Sequence, residues 1–148
     1  MDLPRIMLND PDFGQKLHQT LKTYSFCILS QPKALVEISP EFLARVYACY
    51  QSFFESEEKH VFSYDPNLQD GFVSLDLSET ALGHPQKDLK EFFQYFPWGR
   101  CPEPLAVVSN TLFQKLNTLA QHCLTELEPF ISETVELSLP LKKMIAGS

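Results

Sequence analysis

GFVSLDLSETALGHPQKDLKEFFQYFPWG, running from Gly71 to Gly99, is a stretch in which no helical period survives. Asp70-Gly71 opens it, Gly83-His84-Pro85 divides it and Pro97-Trp98-Gly99 closes it, with Asp65-Pro66-Asn67 just upstream. Glycine and proline at this spacing supply turn dihedrals and remove helix donors, so the segment reads as loops and short strands. Phe72–Leu77 and Leu89–Phe96 are its extended pieces.

On either side the spacing turns helical. Upstream, Ser39-Pro40 pairs a capping hydroxyl with a proline at the first helical position. Phe42, Val46, Tyr50 and Phe53 follow as one apolar stripe, widened by Leu43, Tyr47 and Phe54, and the helix is expected to end between Glu55 and Glu58. Asp10-Pro11 presents the same device before a stripe of Phe13, Leu17, Leu21 and Tyr24, which predicts a helix to about Thr23. Two short apolar segments, Leu3–Leu8 and Tyr24–Leu29, read as extended, the second a buried strand ended by Ser30-Gln31-Pro32. Downstream, Ser109 or Asn110 is the expected cap of a long helix carrying Leu112, Leu116, Leu119, Cys123, Leu127 and Phe130, with Phe113, Ala120 and Leu124 beside them. Pro129 should kink or end it. The tail from Ser132 to Ser148 reads as interrupted, and no internal repeat is found.

The 148 residues, 44% hydrophobic and 21% charged, are enough for one domain with its own core. A formal charge of -7 with 12 scattered basic residues opposes binding to a phosphate backbone, so nucleic acid is not an expected partner. No apolar run is long enough for a membrane span and the N-terminus has no signal-peptide segment, which gives the expectation of a cytoplasmic protein without membrane contact. The four cysteines, Cys27, Cys49, Cys101 and Cys123, form no C-x-x-C pair and read as free thiols, three of them buried.

Local chemistry is sparse. His84-Pro85 with Cys101 falls short of a metal-ligand set. Glu55, Glu57 and Glu58 lie in a charge run with Lys59, the pattern of a solvated face. No G-x-S-x-G elbow is present, so a nucleophile would have to be assembled in space. Trp98, beside Arg100 in a tight loop, is either a contact point for a partner or an anchor of the loop to its own core, the reading preferred from sequence.

Taken in order, seven features resemble the N-terminal region of the isopenicillin N synthase-like family of non-haem Fe(II), 2-oxoglutarate-dependent oxygenases. They are Leu3-Pro4-Arg5-Ile6-Met7-Leu8; the helix with Phe13 and Leu17; Tyr24-Ser25-Phe26-Cys27-Ile28; Phe53-Phe54 with Glu57 and Lys59; Gly71-Phe72; Asp88-Leu89-Lys90-Glu91-Phe92-Phe93; and the leucine-rich helix from Leu112 to Leu127. The sequence departs from the family pattern at Met7, where Asp is usual, at Ser25, where Gly is usual, and at Ser30-Gln31-Pro32, where Asn-His-Gly is common.

The resemblance implies an α+β fold: a helix-rich N-terminal region with short strands, a single domain over residues 1–148, which in the complete family packs on a double-stranded β-helix (jelly-roll) core absent from this chain. It further implies Fe(II) and 2-oxoglutarate in the complete enzyme, a small-molecule substrate, and the jelly-roll core, on the same or a separate chain, as partner. The family's His-x-Asp and Arg-x-Ser are missing: His18, His60, His84 and His122 are followed two positions later by Thr20, Phe62, Gln86 and Leu124, and Arg5, Arg45 and Arg100 by Met7, Tyr47 and Pro102. No catalytic residue, metal ligand or co-substrate ligand is therefore assigned here. By the same resemblance Gln69, Phe72 and Val73 are the substrate-lining candidates, against the plainer reading that Phe72 is core and Gln69 a turn residue. In the penicillin-forming branch an Arg precedes that glycine by two and a Tyr follows it by two; Gln69 and Val73 stand there instead.

The function so implied is that of a scaffold and substrate-access region of an oxidoreductase, not catalytic alone. The alternative is a self-standing interaction module that kept the scaffold and associates with itself or another protein through apolar surface. A third reading, an unrelated enzyme with a dispersed site, would require activity in this chain by itself.

Overall fold

In the computed structural model the described residues are 3–30, 35–78, 80, 82–83, 87, 89–132 and 143. The secondary structure is α+β. Its elements are β1 (Arg5–Met7), α1 (Phe13–Tyr24), β2 (Ile28–Ser30), α2 (Pro40–Glu55), a 3-10 helix (Glu57–Phe62), β3 (Gly71–Val73), β4 (Phe92–Gln94) and α3 (Glu103–Ser132). Two compact units divide the chain: Met1–Ile38 with Gln114–Ser148, and Ser39–Phe113.

In the first unit β1 and β2 pair in parallel, Ile6 opposite Leu29, with α1 as the connection. The pairing is extended by hydrogen bonds from Ile28 N to Pro4 O (2.8 Å) and from Leu8 N to Ser30 O (3.1 Å). Ile6, Leu8, Phe13, Leu17 and Leu127 form the buried core, each such side chain contributing about 1.5–3 kcal/mol on leaving water. Gly14 permits the approach of α1 to the C-terminal half of α3: a Cβ there would stand 2.5 Å from Glu126 O.

The start of α1 differs from the expectation built on Asp10-Pro11. The helix begins at Phe13 with Asp12 at the cap position and no side-chain capping bond. Both carboxylates are engaged by Lys16 instead, Asp10 at 3.0 Å and Asp12 at 3.1 Å. At the other end Tyr24 closes the helix rather than opening a strand, and Ser25 adopts the left-handed conformation (φ 65) with its N–H on Leu21 O. The strand therefore shrinks to Ile28–Ser30, its residues half-buried rather than buried. A left-handed residue ending a helix is the place where glycine costs least, so Ser25 carries a conformational cost there that glycine would not.

In the second unit α2 starts as expected: Ser39 Oγ accepts from Phe42 N at 3.1 Å and Pro40 occupies the first turn. Val46 and Phe53 are buried, Phe42, Tyr50 and Phe54 pack beside them, and Phe72, Leu105 and Val108 complete the core. Leu43 and Tyr47, expected to widen the stripe, are exposed. β3 and β4 pair antiparallel with Phe72 opposite Phe93, and β3 is shorter than expected because residues 75–77 form a turn.

The expected cap of α3 at Ser109 or Asn110 is corrected. The helix starts at Glu103, between Pro102 and Pro104, and Ser109 is a buried mid-helix residue whose hydroxyl lies 2.9 Å from that of Tyr50. Prolines in a first turn forfeit no helix bond, so they start this helix instead of breaking the chain before it. Pro129 does not end it either, since the helix continues to Ser132. The tail from 133 onward, Gln31-Pro32, His84-Pro85 and Asp88 lie outside the described residues, Lys143 of the tail excepted.

Candidate functional site

The turn before β3 is built by a buried carboxylate. Asp65 N donates to Asp70 O (2.9 Å) and Gln69 N to Asp65 O (2.6 Å), closing a loop in which Gln69 takes a left-handed conformation (φ 57) and Gly71 an extended positive one (φ 108). A Cβ on Gly71 would meet Phe62 O at 2.5 Å and Ser63 O at 2.9 Å. Asp70, 1% exposed, accepts from the Arg100 backbone N–H (2.7 Å), from Nε (3.2 Å) and from a terminal guanidinium nitrogen (3.0 Å), and that nitrogen also reaches Ser63 O. Gly99 gives this carboxylate room, for a Cβ there would lie 2.9 Å from Asp70 Oδ2.

Of the three substrate-lining candidates, the turn directs two inward. Phe72 is 1% exposed and Val73 is buried. The Phe72 ring meets those of Phe53 (6.3 Å), Phe54 (6.2 Å) and His60 (5.6 Å), with Lys59 Nζ 5.1 Å from its centroid. Gln69 is exposed.

Lys59 departs from the solvated-face reading. Its ammonium pairs with Glu91 at 3.1 Å and donates to Phe54 O at 2.9 Å, leaving the side chain only 16% exposed, whereas Glu57 is fully in solvent. Trp98 departs in the opposite direction. It is 79% exposed and stacks on Phe96 at 5.4 Å, so it does not anchor its loop in the core.

A cleft of about 300 Å³ opens along α2, lined by Arg45, Cys49, Ser52 and Ser56 with Glu58 at one end. Positions 45, 49, 52 and 56 repeat at helical spacing, and three of the four are small, which creates the concavity. Phe53 and Leu105 give it an apolar floor, and Pro102, just before α3, with Pro104, in its first turn, an opposing wall. No motif marks it in the sequence; the signal available was the small-residue stripe beside the apolar one on α2.

The titratable groups outside the cleft are structural in setting. All four cysteines are free and half-buried, rather than three fully buried. Burial pushes the thiols of Cys27 and Cys123 up, and burial together with the nearby Asp70 carboxylate pushes Cys101 up to about 11, away from the thiolate that nucleophilic work requires. His18 stacks on Phe130, His122 on Phe13, and His60 meets Phe72 edge to face. Among the described residues no three His, Cys, Asp or Glu side chains cluster as a metal site. No helix among the described residues is long and apolar enough to cross a membrane.

No protein-family model and no curated protein matches the chain. Among solved structures it is similar to that of a putative oxygenase from Shewanella oneidensis, at 34% identity and a TM-score of 0.79, over 100% of this chain and 52% of that one. The fold is thus oxygenase-related along its whole length, and the chain spans about half the length of that relative.

Proposed function

We propose that this chain is the N-terminal scaffold and substrate-access region of an isopenicillin N synthase-like oxygenase dependent on Fe(II) and 2-oxoglutarate, its metal and co-substrate ligands lying on a jelly-roll core that this chain lacks. The observation that carries the reading is the likeness to the Shewanella protein, complete over this chain and confined to 52% of that one. The ordered motifs support it, as does a local arrangement in which the Gly71 turn is held by Asp70 and Arg100 rather than by any reacting group. On this reading the whole enzyme would oxidise a small molecule while decarboxylating 2-oxoglutarate, and the 148-residue chain would have no turnover of its own.

The test begins with the native reading frame. Continuation past the codon for Ser148 into a His-x-Asp, a later His and an Arg-x-Ser is expected, with succinate formed from 2-oxoglutarate and Fe(II) by the whole protein and not by this chain. A frame that continues without those ligands, or a native protein that forms no succinate, overturns the proposal. A second reading, an association module, is favoured by the exposure of Trp98, Tyr47 and Val61. It expects the purified chain to be cooperatively folded and dimeric by light scattering, and a dimer lost in Trp98→Ala or Tyr47→Ala.

A further inference from the structure

The cleft along α2 is not needed by the proposed oxygenase role, and its chemistry is specific enough to name a ligand class. We infer that it binds a small amphipathic carboxylate, the head group on the Arg45 guanidinium and the apolar body over Phe53, Leu105 and Pro104. Three observations support this. First, among the described residues no carboxylate pairs with Arg45; its guanidinium lies only over the Phe42 ring, 5.8 Å from the centroid. An exposed cation beside an apolar floor is the combination by which pockets fix an amphipathic anion, since the planar guanidinium offers paired donors to a carboxylate.

Second, the concavity is a product of sequence. Ala48, Cys49, Ser52 and Ser56 leave space along one helical face where a larger residue at any of the four would fill it. The Ser56 hydroxyl is engaged by Phe53 O at 3.1 Å, while that of Ser52 has no bond among the described residues and is available to the ligand. Third, the charges set the ligand's valence. The lining carries one cation, Arg45, and one anion, Glu58, in a chain of formal charge -7. A monoanion is matched by Arg45 alone, whereas a phosphate dianion would carry an uncompensated charge into this field. The prolines of the opposing wall offer no N–H, so polar recognition rests on Arg45 and the Ser52 hydroxyl, and the rest on shape.

The test uses the 148-residue chain, labelled with 15N, and 3-phenylpropionate as the probe, with 3-phenylpropanamide as its uncharged counterpart. Saturable shifts of the Ala48, Cys49, Ser52 and Leu105 amides are expected, with a millimolar Kd for so small a probe and about tenfold weaker binding of the amide. Arg45→Gln should remove the preference for the carboxylate. Ala48→Leu, which fills the cleft from an exposed helical position compatible with leucine, should weaken both probes. Circular dichroism confirms that each variant is folded. Absence of saturable shifts up to about 20 mM, equal affinity for acid and amide, or unchanged binding in the filled variant each overturns the assignment.

Discussion

Replacing Gly71 by alanine tests the account of the turn that organises the second unit. Two costs act there and can be separated. The backbone at Gly71 has φ +108, where an L-residue is strained by about 1–3 kcal/mol. A Cβ would also stand 2.5 Å from Phe62 O and 2.9 Å from Ser63 O. Those carbonyls belong to backbone held by the Tyr64 N to Phe72 O and Asp65 N to Asp70 O bonds, both 2.9 Å, so relief of the clash must loosen them at about 1 kcal/mol each. Against this, the unfolded chain loses about 0.4–1 kcal/mol of its entropic advantage. The net loss is about 3–4 kcal/mol, or roughly 10 °C in Tm for a chain of this size. Gly83 is the control: it too has positive φ (+85), but none of the described residues lies within 4 Å of its Cβ position, so Gly83→Ala carries strain alone and should cost about 1 kcal/mol or less. Urea unfolding followed by circular dichroism and by the fluorescence of Trp98, the sole tryptophan, measures both. Equal losses in the two variants would refute the close-approach argument.

The same assay serves three further expectations. Ser25→Gly, which relieves the left-handed end of α1, should stabilise by about 0.5–1 kcal/mol; a loss would show that the Ser25 side chain contributes something the backbone account omits. Asp70→Ala should cost about 2–3 kcal/mol because three N–H groups of Arg100 lose their acceptor while the guanidinium, on a side chain 41% exposed, keeps access to water, and a double-mutant cycle with Arg100→Ala should show coupling above about 1 kcal/mol, additivity of the two losses being the contrary result. Alkaline pH should weaken the fold through Cys101: with its thiol at about 11 in the folded chain against 9 when unperturbed, the unfolded chain releases its proton first. Stability is therefore complete below pH 9 and falls as pH rises toward 11. Because the group is partly exposed, solvent screening limits the effect to about 1 kcal/mol. Cys101→Ala should flatten the slope of the urea midpoint between pH 8.5 and 10.5, and an unchanged slope would assign it to other groups.

How much was legible in the sequence followed from how local each cause was. Ser39-Pro40 announced α2 because a cap and a first-turn proline act within four residues. The same device at Asp10-Pro11 failed because Lys16, one turn inside the helix, takes both nearby carboxylates. The start of α3 was legible in principle: Leu105, Val108, Ser109 and Leu112 already follow the helical period, and Leu105 and Val108 are buried. Pro102 precedes the helix and Pro104, in its first turn, forfeits no helix bond, so neither opposes a start at Glu103. The burial of Asp70 had no local cause, its partner Arg100 lying 30 residues away.

Those distant pairings also explain why the order of the motifs carried more than any one of them. Lys59, at the end of the Phe53-Phe54 segment, reaches Glu91 in the Asp88–Phe93 segment. Asp70, before the Gly71-Phe72 turn, reaches Arg100 after Trp98-Gly99. Phe53 meets the rings of both Phe72 and Phe93, and Lys59 Nζ lies 5.1 Å from the Phe72 centroid. Three weak motifs, with Arg100, are thus the visible ends of one cluster: each residue type is matched by a partner elsewhere in it, and losing one would leave a buried charge unpaired or a ring without its neighbours. A resemblance resting on such residues reports the unit that closes the 71–99 loops. It says little of chemistry, and the variants that break this cluster, Gly71→Ala and Asp70→Ala, should lower stability while leaving the preference of the Arg45 cleft for a carboxylate unchanged in whatever fraction remains folded.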